Sequence, residues 1–451
     1  MNFVTRPAGI VLGIMFLLSI PYEGRAESIS LEAKVREKAA AIEDKLIAWR
    51  RDIHQHPELG DEEHRTSSLV SEHLRSLGIE VRTGIARTGV VGLLKGAKPG
   101  RIVALRADMD ALPVKEPEGL PFVSKASGQY RGKEVNVMHA CGHDTHTAML
   151  MATAEVLASM KDELAGTVQF IFQPAEEGSS LFAPGSEQTW GARLMLQEGL
   201  FAETKPNAVF GLHVMPGPSG EVFFRSGATT ASGDALDIVV TGKQGHGGMP
   251  WNTIDPIATS SLIISGLQTV VSRKANLTRS PAVITIGTIH GGEAGNVIPE
   301  TVHMTGIIRT YDESVREVVH HASRLMVQKI AESAEARADV SIVKIYDTTV
   351  NNERLAEWAR PVLQRAADGR VSHGPLVGAS EDFSFYAQVT PGLFIFMGIT
   401  PRDQDPAKAA PNHSPGFFVE RECLGDWHSN HGVTGSELPR FTGRSLTGGQ
   451  V

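Results

Sequence analysis

Cysteine is scarce in this chain: its 451 residues contain only 2 cysteines, too few for a fold held together by disulfides. Acidic residues outnumber basic ones, 51 against 43, and the net charge of −8 argues against a nucleic-acid-binding protein, since such proteins need a basic face for phosphates. After residue 26 no apolar run approaches the roughly 20 residues that a membrane-spanning helix needs. The remaining composition, 41% hydrophobic and 21% charged, is that of a globular protein whose length favours two domains.

The amino-terminal segment has the pattern of a secretory signal. Arg6 precedes an apolar run over residues 8–20, and the run is followed by Pro21 and then by the small residue Ala26. This run is short for a permanent membrane span, although an uncleaved anchor stays an alternative. The pattern predicts a signal peptide over residues 1–26 and an exported protein, periplasmic or secreted, without stable membrane insertion after cleavage.

Helical and strand patterns alternate along the first half of the chain. The predicted strands and helices are strands at residues 79–81, 90–94, 102–106, 167–172 and 208–213, and helices at residues 30–57, 67–77, 145–160 and 190–197. Such alternation predicts an α/β fold with a mixed, largely parallel sheet and helices on both faces. Ligands of such folds gather in the loops at the carboxyl ends of the strands.

The pattern changes near residue 227. The predicted elements there are strands at residues 235–241, 282–289, 302–309 and 338–344, with helices at residues 256–271 and 313–335. Two helices on a mostly antiparallel sheet form a compact α+β unit. We therefore predict a first domain built from residues 27–226 and 341–440, a smaller domain of residues 227–340 inserted between its halves, and a loose tail at residues 441–451.

The densest group of potential metal ligands is the segment His139-Ala-Cys141-Gly-His143-Asp144-Thr-His146. The glycine between Cys141 and His143 allows a turn sharp enough for both side chains to reach one metal atom. A thiolate and a neutral imidazole suit a borderline ion such as Zn, Mn, Co or Ni. For this segment alone, a buried cysteine beside solvated histidines is an equally good interpretation.

Two adjacent carboxylates, Glu176 and Glu177, follow a predicted strand and Pro174. An isolated pair of this kind is usually a solvated surface charge. In extended backbone, however, adjacent side chains point in opposite directions, so that one can bind an ion while the other faces a bound water. A metal lowers the pKa of such a water, and a carboxylate takes its proton as the water attacks a carbonyl. The pair therefore favours hydrolytic chemistry.

Three further segments carry candidate ligands or their supports. His213 lies at a predicted strand end, His413 lies in a PNHSP loop, and Asp108 and Asp110 lie in the segment RADMDALP. Each histidine taken alone is more often structural. Together with the residues above, the candidate ligands are Cys141, His143, Glu177, His213 and His413. Five ligands exceed the four of a closed structural zinc site and fit two ions that share a bridging ligand.

Eight motifs occur along the chain in the following order: ALRADMDALP, HACGHDTHTAML, QPAEEG, GLHV, GKQGHGGMP, GGEAGNVIPE, SEDFSFY and NHSPGFF. In this order the chain resembles the M20 metallopeptidase family over about residues 40–425. It is most similar to the amidohydrolase branch, which includes hippurate hydrolases, N-acyl-amino-acid amidohydrolases and indole-acetyl-amino-acid hydrolases. The resemblance implies a di-metal catalytic domain and a smaller inserted lid domain, often used for dimerisation.

The resemblance also implies a role for each matching residue of the catalytic domain. The implied metal ligands are Cys141, His143, Glu177, His213 and His413. Among them Cys141 would be the bridge, and Glu176 would be the general acid/base. Asp108 and Asp110 resemble the family's support for the metal site, with direct metal contact by one of them as the alternative. The histidines and the aspartate beside the ligands, at positions 139, 144 and 146, would orient them.

Three residues of the smaller domain match substrate-contacting positions of the family. His246 resembles the lid histidine that reaches into the active site, in some members that of a partner subunit, to polarise the scissile carbonyl. Asn296 and Arg309 match positions that hold the substrate's α-carboxylate, and a guanidinium pairs bidentately with such a group. A solvated loop histidine and a surface salt bridge are the alternatives for His246 and Arg309.

The resemblance predicts an amidohydrolase with two divalent ions (Zn, Mn, Co or Ni) that cleaves N-acyl or N-aroyl amino acids, and the signal pattern predicts that it is exported. An exopeptidase acting on short peptides is the alternative within the hydrolases. A catalytically inactive, exported ligand-binding protein is the alternative from another class, although the intact Glu176 and the complete ligand set argue against it. The implied partners are a small acyl-amino acid or peptide and a second copy of the chain, bound through the smaller domain.

One segment departs from the family pattern. Residues 179–190 stand between the catalytic glutamates and the next predicted helix, where the family has a short connection, and they carry Phe182, Pro184 and Trp190. The segment either reshapes the mouth of the substrate pocket and alters the preference for acyl groups, or it is a surface loop without contact to substrate.

Overall fold

The computed structural model describes residues 22–183, 185–186 and 188–419. Most of the predicted signal peptide and all of the predicted tail lie outside the described residues, as do Cys423 and Pro184. Among the described residues, no helix has both the length and the apolar character of a membrane span.

The helices are α1 (Tyr22–Gln55), α2 (His64–Ser76), α3 (His143–Ala158), α4 (Gly191–Gln197), α5 (Pro256–Arg273), α6 (Glu313–Ser333), α7 (Glu353–Ala366) and α8 (Phe383–Val389). The strands are β1 (Glu80–Ile85), β2 (Gly89–Lys95), β3 (Lys98–Asp108), β4 (Ser127–Tyr130), β5 (Lys133–Asn136), β6 (Ala165–Gln173), β7 (Ala208–Pro218), β8 (Val222–Phe224), β9 (Gly227–Thr230), β10 (Gly233–Thr241), β11 (Gly245–His246), β12 (Ala282–His290), β13 (Val297–Ile298), β14 (Thr301–Thr310), β15 (Arg337–Tyr346), β16 (Thr349–Asn351), β17 (Val371–His373) and β18 (Gly392–Thr400).

The largest sheet has eight strands in the order β1-β2-β6-β3-β7-β18-β8-β17. Its four central strands, β6, β3, β7 and β18, run parallel to one another. Antiparallel pairs lie towards the edges, between β1 and β2, β2 and β6, and β18 and β8. The predicted α/β class with a mixed, largely parallel sheet is therefore confirmed.

Both faces of this sheet are buried, because its strands carry apolar residues at successive positions. Val103 and Leu105 of β3 belong to one apolar cluster, with residues of α1, α2, α3 and α7. Ala104, between them, belongs to a second cluster, with residues of α4 and α8. Neighbouring side chains of a strand point to opposite faces, so the two clusters lie on the two sides of the sheet. Helices on both faces are typical of parallel sheets.

A second, antiparallel sheet follows in the order β12-β14-β10-β15. We call residues 233–346, which contain these four strands, α5, α6 and the small pair β11-β13, the inserted unit. Leu236 and Ile238 of β10 pack against Leu267 of α5 and Val319 of α6 in a core of their own. Backbone pairing between β15 and β10 continues to Tyr346, so this sheet extends past residue 340, the boundary predicted from side-chain pattern. A lid movement and a dimer contact by this unit stay predictions.

A buried network of ion pairs connects α6 to the antiparallel sheet of the inserted unit. The fully buried Asp234 accepts hydrogen bonds from Arg316 Nε at 3.1 Å and from His320 Nε2 at 2.7 Å. In an Asp234→Asn variant the buried guanidinium would keep only the partly exposed carboxylates of Asp347 and Glu313. Because breaking a buried pair leaves an uncompensated charge, we expect a loss of about 3 kcal/mol in the free energy of unfolding, measured by urea denaturation.

The matched control for this prediction is Asp237→Asn on the same strand. Asp237 pairs with His303 at 2.6 Å, but both side chains are about half exposed. Exposed pairs contribute less than about 1 kcal/mol, so this variant should unfold almost as the wild type does. Equal destabilisation by the two substitutions would contradict the role given to Asp234.

Candidate metal centre

Polar side chains collect where the central parallel strands end. Strand β3 ends at Asp108, β6 runs into the loop that carries Glu176 and Glu177, and β7 carries His213. The carboxyl ends of parallel strands lie at the same edge of a sheet, so these segments are neighbours although they are far apart in the sequence.

The five candidate ligands form two groups that share one residue. Potential ligand atoms of Cys141, His143 and His213 lie within 4.8 Å of one another, and so do those of Cys141, Glu177 and His413. Cys141 Sγ is 3.3 Å from His213 Nε2, and His413 Nε2 is 2.8 Å from Glu177 Oε1. Because the Cys141 thiol belongs to both groups, its position suits the predicted bridge. Metal binding by these residues stays a prediction.

Two left-handed backbone positions bring the ligands together. Gly142, with φ 96°, immediately precedes α3 and turns the chain between Cys141 and His143. A Cβ at this glycine would lie 2.3 Å from the Val214 side chain, so no other residue fits without a shift. His413 has φ 69°, and its backbone N–H donates to the carbonyl of residue 140 at 2.7 Å.

Hydrogen bonds fix the tautomers of two of the candidate ligands. His143 Nδ1 lies 2.8 Å from the backbone carbonyl of Asp110, and His213 Nδ1 lies 2.8 Å from that of Val214. A carbonyl only accepts, so each Nδ1 carries a proton, and in the neutral ring each Nε2 has a lone pair. His143 Nε2 is buried without a hydrogen-bond partner in the described part of the chain. An unpaired buried imidazole nitrogen is the donor that a metal ion requires.

His146 differs from these two histidines because both of its nitrogens are occupied. Its Nδ1 is 2.6 Å from Asp108 Oδ1, and its Nε2 accepts the backbone N–H of Val214 at 2.9 Å. Asp108 also binds Arg106. His146 therefore has no lone pair for a metal ion in this arrangement, which agrees with a supporting role.

The remaining two residues of the histidine-rich segment are also buried. Asp144 is bound by Arg50 Nε at 2.8 Å and by His54 Nδ1 at 2.9 Å. Burial lowers the pKa of His139 to about 3, so its ring is neutral at ordinary pH. Neither nitrogen of His139 has a hydrogen-bond partner among the described residues.

The electrostatics of the cluster fit divalent cations. Burial opposes protonation of His143, but the carboxylates of Asp108 and Asp110 raise its pKa to about 10, so a bound ion would take the place of the proton on Nε2. Burial and the carboxylates of Glu177 and Glu176 raise the pKa of the Cys141 thiol well above its ordinary value. The His143 shift, and the contribution of the carboxylates to the Cys141 shift, indicate a buried excess of negative charge that a cation would balance. A donor set of thiolate, imidazole and carboxylate suits Zn, Mn, Co or Ni.

Glu176 belongs to neither of the two groups that share Cys141, although its carboxylate also lies within 4.8 Å of potential ligand atoms of His143 and Glu177. Its Oε2 is 4.0 Å from His143 Nε2, and the backbone N–H of Asp382 lies 3.4 Å from its Oε1. Burial and the neighbouring carboxylates of Glu381 and Glu177 raise the pKa of Glu176 well above its ordinary value. A buried carboxyl with a raised pKa beside a metal-ligand cluster is typical of a general acid/base.

Arg106 is fully buried near the candidate ligands, and we call it a hub because it donates hydrogen bonds to four side chains. The sequence pattern gives it no role. Arg106 donates to Gln173, Asp108, Glu381 and Asp382 at distances of 2.7 to 3.0 Å. Burial raises the pKa of Glu381 to about 8 and that of Asp382 to about 6, although the Arg106 charge opposes both shifts. The sequence signal was the position of Arg106 directly after the apolar residues 102–105 of strand β3, together with the adjacent acids of SEDFSFY.

His246 and Asn296 lie together on the inserted unit. His246 pairs with Val297 between β11 and β13, and the carbonyl of Asn296 accepts the backbone N–H of Gly247 at 2.8 Å. The His246 side chain is exposed. Among the described residues, no hydrogen bond or ion pair joins this pair to the ligand cluster.

Arg309 lies where the inserted unit approaches the catalytic loops. A Cβ at Gly233 would lie 2.8 Å from Ser380 Oγ and 3.3 Å from Arg309 Nη1, so the guanidinium is close to the loop that carries Glu381. Arg309 is half-buried and forms no ion pair with a carboxylate in the part of the chain that the structure describes. It therefore has the charge and the freedom to bind a substrate carboxylate.

The chain is similar to known peptidases and amidohydrolases over most of its length. A family model described as Peptidase family M20/M25/M40 matches residues 104–421. Thermostable carboxypeptidase 1 of Saccharolobus solfataricus is 40% identical over 399 residues, covering 88% of this chain and 96% of that protein. Hippurate hydrolase of Campylobacter jejuni is 36% identical over 352 residues, covering 77% of this chain and 86% of that protein.

A solved structure from Bacillus subtilis, described as a dinuclear metal binding peptidase from the M20 family, superposes with a TM-score of 0.69 and 33% identity. The superposition covers 86% of this chain and 96% of the Bacillus subtilis chain.

Proposed function

The chain belongs to peptidase family M20/M25/M40, and on that premise we propose that it hydrolyses the amide bond of N-acyl or N-aroyl amino acids of the hippurate type. Members of this family are metal-dependent hydrolases of amide or peptide bonds, and this chain is one of them. The observation that carries the proposal is the buried Glu176 carboxyl, placed beside two ligand groups that share Cys141.

The two ligand groups would hold two divalent ions, which when bound lower the pKa of water and polarise a carbonyl. Glu176 takes a proton from the attacking water and returns it to the leaving amine. His246 stabilises the oxygen of the scissile carbonyl as negative charge develops on it. Arg309 and Asn296 hold the carboxylate of the amino acid, with the guanidinium as the bidentate partner.

An exopeptidase is the second candidate, and the 40% identical relative named a thermostable carboxypeptidase favours it. An N-acyl amino acid and a peptide both end in a free carboxylate, so Arg309 suits either substrate. The two substrates differ on the other side of the scissile bond. An N-acyl amino acid has a simple acyl group there, and a peptide has an aminoacyl group.

A substrate panel tests the proposal and separates the two candidates. The purified protein, loaded in turn with Zn, Mn, Co or Ni, is assayed on hippurate, N-acetyl amino acids and unblocked dipeptides, and metal content is measured on the same preparation. We expect glycine to be released from hippurate and the blocked substrates to be cleaved faster than the dipeptides. Faster cleavage of dipeptides would favour the exopeptidase, and no cleavage of any substrate would contradict hydrolysis.

An alanine at position 246 tests the role of the lid histidine. We expect His246→Ala to lower kcat by about 10²–10³-fold, the usual loss of one oxyanion donor, without changing the metal content. His303→Ala is the matched control, because His303 is an exposed histidine of the same unit. Metal loss in the position-246 variant, or equal effects in both variants, would contradict the assignment.

We also propose that the protein is exported and pairs with a second copy through the inserted unit. The amino-terminal signal pattern supports export. Strand β12 lies at the edge of its sheet and exposes Val283 and Ile289, and an exposed apolar edge strand is a surface that another strand can cover.

A further inference from the structure

A tyrosine of the inserted unit holds the backbone of the proposed general base. Tyr346, the last residue of β15, donates its hydroxyl hydrogen to the carbonyl oxygen of Glu176 at 2.6 Å. The two residues are 170 positions apart in the sequence. No other hydrogen bond to this carbonyl occurs within the described ranges. The contact therefore ties the loop of the base directly to the inserted unit.

Trp190 fixes the direction of that hydrogen bond. Its Nε1 lies 3.1 Å from the Tyr346 hydroxyl oxygen. An indole N–H only donates, so the hydroxyl oxygen accepts from Trp190, and its single hydrogen points to Glu176. The three groups form a chain of hydrogen bonds that runs from the segment 179–190 to the base.

The loop that carries Glu176 has a backbone that needs such support. Ala175 has φ 49°, a left-handed conformation that is unfavourable for a residue with a side chain. Its N–H donates to Glu63 Oε1 at 2.8 Å, and the N–H of Glu177 donates to Asp110 Oδ2 at 2.9 Å. Side chains thus hold the loop on both sides of Glu176, and the Tyr346 hydroxyl holds the peptide group of Glu176 itself.

The segment around Trp190 is itself anchored to the catalytic domain. The Trp190 ring lies 5.8 Å from the Phe182 ring, which also contacts the Arg87 guanidinium at 5.3 Å. After Trp190, the backbone N–H of Ala192 donates to Asp382 Oδ2 at 2.8 Å. A firm placement of the indole is what allows it to orient the tyrosine.

We propose that Tyr346, oriented by Trp190 of the segment 179–190, is a positioning residue that sets the orientation of Glu176 for proton transfer. This inference rests on the proposed role of Glu176 as the general acid/base. It gives the segment 179–190 a role in turnover as well as a place at the boundary between the catalytic domain and the inserted unit.

The test removes the two hydrogen bonds separately and together. We expect Tyr346→Phe to lower kcat about ten-fold, with unchanged KM and metal content, because a small misplacement of a catalytic group lowers the rate strongly. Trp190→Phe should lower kcat about three-fold by the same mechanism. Since Trp190 acts through Tyr346, the double variant should be no slower than Tyr346→Phe alone.

Two substitutions serve as matched controls. Tyr386→Phe removes a buried hydroxyl that donates to Met195 Sδ, and Trp49→Phe alters an indole that packs on His73. Both should keep the wild-type kcat. Wild-type kcat in Tyr346→Phe, multiplied effects in the double variant, or metal loss in Tyr346→Phe would each overturn the proposal.

Backbone hydrogen exchange separates a failure of this proposal from a failure of the proposed function. The amides of residues 175–178 should exchange about ten-fold faster in Tyr346→Phe than in Tyr386→Phe, because a hydrogen bond that restrains the loop is lost. This result does not depend on any substrate. Unchanged exchange would overturn the positioning role, whereas an inactive wild-type protein with the expected exchange would overturn only the proposed reaction.

Discussion

Replacing Glu176 by glutamine is expected to lower kcat by about 10²–10⁴-fold while both metal ions stay bound. The amide has nearly the shape of the carboxyl group but does not take up the proton of the attacking water. Glu176 is in neither of the ligand groups that share Cys141, so metal content, measured by mass spectrometry on the purified variant, should not change. Burial and the nearby carboxylates disfavour the Glu176 charge, so the neutral amide should not lower the free energy of unfolding.

The matched control for this prediction is Glu118→Gln. Glu118 is exposed on the loop that precedes β4. Its replacement should leave kcat, KM and metal content as they are in the wild type. Turnover in Glu176→Gln within a few-fold of the wild type would remove Glu176 from the role of general base, and loss of metal would make it a ligand instead.

Removing Cys141 is expected to have the second large effect, because its thiol belongs to both ligand groups. Cys141→Ala should weaken the binding of both ions and bring the metal content towards zero. Partners that only orient metal ligands contribute about 10–100-fold in affinity, so loss of a shared direct ligand should exceed that for each ion. Activity should fall below detection at metal concentrations that saturate the wild type.

Two further variants make this result specific. His213→Ala removes a member of one group only, so it should lower the affinity for one ion and leave about one ion bound. Cys423→Ala changes the only other cysteine of the chain and should keep both ions. If Cys141→Ala loses a single ion, or if His213→Ala loses two, then Cys141 is not the shared ligand.

The candidate metal ligands and the two adjacent glutamates can be recognised in the sequence. Cys141 and His143 lie two residues apart around a glycine, and Glu176 and Glu177 follow a strand pattern, so local spacing alone indicates which side chains are close. The alternation of strands and helices likewise predicted the class of the fold, because strands buried on both faces are short apolar runs, whereas a helix buried on one face has periodically spaced apolar residues.

Several features of the candidate site depend on contacts between segments that are far apart in the sequence. His143 and His146 look alike in the sequence, but only the structure shows that His146 has both nitrogens occupied. The sharing of Cys141 by two ligand groups also needed the tertiary arrangement, because His213 and His413 come from other parts of the chain.

The sequence by itself therefore determined the fold class through its apolar pattern, and its eight ordered motifs supplied the candidate ligands and the proposed base through their resemblance to the M20 family. Only the tertiary structure revealed the Arg106 hub and the hydrogen bond from Tyr346 to Glu176, a residue 170 positions away. The physical reason is that a hydrogen bond depends on distances of about 3 Å between atoms. Chain folding sets such distances, and the local sequence pattern does not record them.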